Sequence, residues 1–89
     1  VATAEDMRAA AEAVVASAKT VMQAQDVPPA SSEIADGDAA ERIVTRGKDI
    51  GADLIVTGRR GLGNLGALVQ GSTSQRINHL ADCACLTVP

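Results

Sequence analysis

The chain contains no phenylalanine, tyrosine or tryptophan. A core made only of Ala, Val, Ile, Leu and Met gains its stability from many small contacts, because no side chain brings an aromatic's large area. At 89 residues the chain makes at most one small domain, and short chains bury a smaller share of their surface than long ones. Further burial, by association with another chain or with additional sequence, is therefore expected. The missing aromatics also remove the platforms on which unpaired bases stack.

Basic clusters are scarce as well. Eight Lys and Arg stand against 11 Asp and Glu, a formal charge of −3, and the longest basic run is Arg59-Arg60. A nucleic-acid binder usually carries a basic stripe that replaces phosphate counterions, so nucleic acid is not an expected partner. No apolar run approaches the roughly 18–20 residues that cross a bilayer. The first residues, Val1-Ala2-Thr3-Ala4-Glu5-Asp6, lack the basic and apolar regions of a secretory leader. Cysteine is limited to Cys83 and Cys85, one residue apart in an apolar stretch. That spacing is neither a disulfide framework nor a zinc site, and both read as small core residues. A reduced, cytoplasmic protein without membrane attachment is expected.

What is present is helical and strand periodicity in alternation. Met7, Ala11, Val14, Val15, Ala18, Val21 and Met22 recur at spacings of three and four and predict a helix over 4–25. Thr3 and Asp6 read as its capping pair, and Pro28-Pro29 as its stop. Residues 30–36 predict a short edge strand, punctuated by Gly37. Asp38 with Glu41 reads as an N-cap opening a helix whose apolar face holds Ala40, Ile43, Val44, Gly47 and Ile50, with Gly51 in the left-handed position after it. Residues 53–57, Asp-Leu-Ile-Val-Thr, predict a parallel strand buried on both faces. A glycine-rich loop follows over 58–71. Ser72-Thr73-Ser74-Gln75 reads as a capping box, Ile77, Leu80 and Ala81 continue its helix, and 83–88 predict a last strand. The order helix-strand-helix-strand-helix-strand implies an α/β fold with a parallel sheet and right-handed crossovers, in one domain over 1–89.

Chemistry is concentrated in Gly58-Arg59-Arg60-Gly61, followed after nine residues by Gly71-Ser72. This stretch joins a strand to a capped helix. Ligands of open α/β sheets bind beyond the carboxyl ends of strands, and glycines there let backbone N–H groups approach an anion. The start of the following helix adds its positive dipole end, and Ser72 and Thr73 add hydroxyl donors. Arg59 and Arg60 have the fork geometry that matches phosphate oxygens, although a solvated loop pair explains them equally well. No Gly-Lys-Ser/Thr follows at Walker spacing. Gly61, Gly63 and Gly66 precede a further loop instead of opening the main helix, which argues against a dinucleotide fingerprint.

The pattern G-x2-G-x9-G-S/T at Gly58, Gly61, Gly71 and Ser72 resembles the nucleotide-binding signature of the ATP-binding branch of the universal stress protein family. Gly37-Asp38-Ala39-Ala40-Glu41, Gly51-Ala52-Asp53-Leu54-Ile55-Val56 and Cys83 before an apolar terminal strand are similar to the family too. The resemblance implies the parallel-sheet fold of that family, related to the adenine nucleotide alpha hydrolases, in incomplete form. A family domain opens with a strand, a helix and a second strand, and the turn after the first strand carries an acidic residue at the adenine end. None of these has a counterpart here, so the chain is expected to be the C-terminal two-thirds of a domain. In the family's strand order, the two central strands without a counterpart fall between 30–36 and 53–57.

The resemblance further implies an ATP ligand, accompanied by Mg²⁺ through its phosphates, held by Gly58, Gly61, Gly71, Ser72 and Thr73. It also implies a homodimer joined along the terminal strand 84–88. The expected role is a nucleotide-binding stress-response module in which bound ATP biases conformation or partner choice. No general base stands near the loop, so at most slow ATP hydrolysis is expected. The alternative is a nucleotide-free dimerisation or scaffold module of the same family, which usually lacks the glycine signature. An adenylyl-transfer enzyme would require a catalytic His or Lys motif. His79 is a lone histidine without a partner at helical spacing, and helix capping accounts for Asp38 and Glu41 without a metal.

Overall fold

The computed structural model of the chain describes residues 1–58 and 72–89. It divides into two compact units, Val1–Ile34 and Ala35–Pro89.

The first unit is built on α1, Ala4–Ala24. The Thr3 hydroxyl accepts the Asp6 N–H at 3.1 Å and the Asp6 carboxylate accepts the Thr3 N–H at 3.1 Å, closing the capping box. Glu5 and Asp6 sit at the positive end of the helix dipole. The helix stops before Pro28-Pro29. The Val27 N–H reaches back to the Met22 carbonyl at 2.9 Å and the Asp26 N–H to Gln23 at 3.0 Å, with Asp26 at φ 57°. These are the two hydrogen bonds of a Schellman turn, with aspartate in the left-handed position usually held by glycine. No residue of α1 is buried. The chain then returns past Pro29, and Ser32, Glu33 and Ile34 border a shallow groove with Arg8, Glu12, Val15, Ala16 and Lys19.

The strand expected over 30–36 does not form; the segment has no helix or strand. A strand exists only where a neighbour takes up its N–H and C=O groups. Among the described residues the two strands pair with each other alone.

The second unit holds α2, Ala39–Asp49; β1, Leu54–Gly58; α3, Ser72–Leu80; and β2, Ala84–Val88. Asp38 caps α2, its Oδ2 accepting the Glu41 N–H at 3.1 Å. The far end closes on Gly51 at φ 66°, with the Ala52 N–H on the Gly47 carbonyl at 2.8 Å and the Gly51 N–H on Lys48 at 3.2 Å. This is the same Schellman turn, here with the residue that adopts a positive φ without steric cost. β1 and β2 are parallel, in register from Leu54↔Ala84 to Gly58↔Val88. Ala40 and Val44 of α2, Ile55 of β1 and Ile77 of α3 form the core, with Ile43, Ala81, Cys83 and Cys85 packed around them.

Both helices therefore cover one face of the sheet. On the other face Leu54, Val56, Leu86 and Val88 are exposed. The expectation of a strand buried on both faces is corrected to burial of alternate residues, because Ile55 packs into the core with α2 and α3 while Leu54 and Val56 are exposed. Gly47 allows the close contact on the covered face: a Cβ there would stand 3.3 Å from the Ile55 methyl. The α/β class, the parallel pairing and the strand-helix-strand crossover from β1 to β2 agree with the sequence reading.

Candidate functional site

The connections fix which ends of the elements lie together. α2 runs into β1 through Ala52 and Asp53, and α3 runs into β2 through Ala81, Asp82 and Cys83. Both helices thus have their C-termini at the amino edge of the sheet. There Gly47, Lys48, Gly51, Ala81 and Asp82 border one open cleft, and Lys48 Nζ lies 3.6 Å from the Asp82 carboxylate. The N-termini of α2 and α3 are displaced toward the opposite, carboxyl edge, by about 16 and 13 Å at 1.5 Å per residue.

At that carboxyl edge β1 ends on Gly58, and α3 begins with Ser72 and Thr73. Three of the sequence-derived site residues, Gly58, Ser72 and Thr73, are therefore brought to one side of the sheet. Arg59, Arg60, Gly61 and Gly71 lie outside the described residues. Ser72 already belongs to α3, where the sequence reading has it as the N-cap before the helix. Ser74 is buried and packs inward, while Ser72 is exposed and Thr73 half-buried.

Sequence reasoning did not find the charged pair at this edge. Arg76 Nη1 donates to Asp38 Oδ1 at 2.5 Å, linking α3 to the cap of α2. The Arg76 hydrogen bond and then the Glu41 N–H hold the Asp38 carboxyl below its ordinary range, and the same hydrogen bond raises Arg76. Each residue carries its own local signal: Asp38 as a cap, Arg76 four residues after Ser72. Nothing in the sequence joins positions 38 residues apart. Beside them Arg42 Nε donates to the Asp36 carbonyl at 2.8 Å.

The other candidates have plain settings. His79 is exposed on α3. Cys83 and Cys85 are half-buried free thiols packed on the core, with the Cys85 thiol directed at the Cys83 carbonyl at 3.6 Å. Among the described residues no three His, Cys, Asp or Glu side chains converge as a metal site would require, and no helix is long and apolar enough to cross a membrane.

β1 thus ends on a glycine at the sheet edge where α3 carries Ser72 and Thr73 in its first turn. In comparison with known proteins, the model of the universal stress protein family matches residues 1–89. The chain belongs to the universal stress protein family. It is similar to the stress response protein NhaX of Bacillus subtilis, 35% identical over 77 residues, which cover 86% of this chain and 46% of that protein. It is also similar to the universal stress protein YxiE of the same organism, 37% identical over 54 residues, 61% of this chain and 36% of the relative. A universal stress protein of Thermus aquaticus, encoded in the QAH/OAS sulfhydrylase 3′ region, is 42% identical over 62 residues, 70% of this chain and 45% of its own. The chain thus spans about half or less of the length of these relatives. No solved structure matches it significantly.

Proposed function

We propose that this universal stress protein chain binds ATP or a related nucleotide through its phosphates at the carboxyl edge of the β1–β2 sheet. The observation that carries the reading is the placement of Gly58 and of Ser72-Thr73 at one sheet edge, with the α3 dipole directed toward it. Glycine at the strand end leaves space for a phosphate beside the backbone. The Ser72 and Thr73 hydroxyls donate to its oxygens, and Arg59, Arg60, Gly61 and Gly71 complete the cradle from the loop. Mg²⁺ accompanies the nucleotide through phosphate and water oxygens. No general base enters this arrangement, so the nucleotide acts as a ligand that biases conformation or partner choice in a cytoplasmic stress response.

A second reading, a dimerisation or scaffold module, is favoured by one observation. Leu86 and Val88 of β2 are 51% and 40% exposed, and β2 has β1 as its only strand neighbour among the described residues. A second copy added along 84–88 would take up such an edge. The two readings are compatible.

Calorimetric titration of ATP with MgCl₂ into the protein tests the first. Saturable binding that is lost in a Gly71→Val, Ser72→Ala variant of unchanged circular dichroism is the expected result. A folded protein that takes up no ATP would leave the scaffold reading in its place.

A further inference from the structure

Two charged side chains at the carboxyl edge have no part in the nucleotide site as the sequence motif defines it. We propose that Arg76 is a further phosphate-binding residue of that site, held by Asp38 in the nucleotide-free protein and transferred to the ligand when a polyphosphate arrives. The inference rests on the nucleotide reading above.

The placement of Arg76 comes first. It follows Ser72 by four residues, so the two share one face of α3, a single turn apart. Side chains on a helix slant toward its N-terminus, which carries the guanidinium toward the end where Ser72 and Thr73 stand. Arg76 is thus a cation held near the place where the proposed phosphates would lie. Its planar fork can engage two phosphate oxygens through parallel N–H donors, a fixed geometry that the lysine ammonium lacks.

The nature of the partner matters equally. Asp38 divides its two oxygens: Oδ2 caps α2 through the Glu41 N–H, and Oδ1 takes Arg76. Loss of Arg76 to a ligand would leave the cap in place, so α2 need not change. The two side chains are 52% and 38% exposed, and an ion pair so open to water is weakly held. A polyphosphate offers Arg76 more charge than one carboxylate does. Arg42, a neighbouring cation on α2, already donates to the Asp36 carbonyl, and Glu41 adds a negative charge that a ligand must also meet. Asp38 therefore acts against anion binding in two ways, by occupying Arg76 and by its own charge.

The test is titration of ATP and of inorganic tripolyphosphate into the wild-type protein and its Arg76→Gln, Arg76→Lys and Asp38→Asn variants. Asparagine is as good an N-cap as aspartate, so Asp38→Asn removes the counter-ion and keeps the helix start. Arg76→Gln is expected to weaken both ligands by about tenfold, the loss of one charge-assisted contact, with a shallower dependence on salt. Arg76→Lys should fall between. Asp38→Asn is expected to strengthen both ligands by about threefold, from removal of one nearby like charge.

A purely structural link between the helices gives a different pattern, and either form of it overturns the proposal. In one, Asp38→Asn weakens binding as Arg76→Gln does; in the other, neither variant moves it. Should Arg76→Gln fail to fold, the opposite signs expected for Arg76→Lys and Asp38→Asn still decide. Binding that is lost in Gly71→Val, Ser72→Ala but unmoved at position 76 removes this inference alone. A wild-type protein that binds no ATP removes it together with the nucleotide reading.

Discussion

Helices α1 and α2 begin and end by the same devices, yet only one of them takes part in a core. Both open on a capping side chain and close on a Schellman turn. α1 has 21 residues and buries none of them, whereas α2 has 11 and buries Ala40 and Val44. Caps and periodicity therefore suffice to define a helix, but burial depends on what lies opposite the apolar stripe. The turns differ in the same sense. Asp26 and Gly51 occupy equivalent left-handed positions, and only the glycine does so without a backbone cost.

The largest test of this contrast compares apolar residues in the two units. Ile77, 1% exposed, contacts the Ala40–Val44–Ile55 core, and Ile77→Ala should cost about 2–5 kcal/mol in urea unfolding. Val21 of α1 is 62% exposed, so Val21→Ser should change the same measurement by less than about 0.5 kcal/mol. A large loss at Val21 would mean that the α1 stripe is covered in the whole protein.

The turns come next. No atom stands within 4 Å of a Cβ built on Gly51, so Gly51→Ala should cost about 1–2 kcal/mol through backbone strain alone. Asp26→Gly should stabilise by about 0.5 kcal/mol or less, since aspartate tolerates this conformation better than most residues. Opposite signs in thermal unfolding are the expected outcome, and equal signs would break the equivalence of the two turns.

A cap can be tested by itself. Thr3→Ala removes the acceptor of the Asp6 N–H and should cost about 1 kcal/mol, read as faster amide exchange in the first turn of α1.

The smallest effect belongs to the exposed Asp38–Arg76 pair. The Asp38 carboxyl is held below its ordinary range by Arg76 and then by the Glu41 N–H. Its contribution to stability is thus present above the unfolded-state value and is lost as pH falls through the folded one. Wild type and Asp38→Asn should differ in urea midpoint at neutral pH and converge below about pH 4. A difference that persists in acid would place the effect elsewhere than in the ionised pair.

Much of this molecule is local and was legible as such. Thr3 with Asp6, Asp38 with Glu41, and Gly51 after α2 are determined by groups at most a few residues apart, and each occurs where the pattern put it. The parallel pairing of β1 with β2 followed from a strand, a helix and a strand in succession. The strand that ends at Gly58 and the helix that carries Ser72 were legible too, on either side of the glycine-rich stretch.

What the sequence could not supply depends on contacts across the chain. Residues 30–36 alternate in part but have no ladder partner among the described residues, and a strand is a property of two segments. Leu54 and Val56 are apolar and yet exposed, because α2 and α3 pack on the Ile55 face of the sheet. The union of Asp38 with Arg76 appears only once α2 and α3 lie side by side. Hydrogen-bonded caps and turns act over a few residues and are written in order along the chain. Burial, strand pairing and ion pairs between helices need two distant segments in one place, and the tertiary structure alone decides which segments those are.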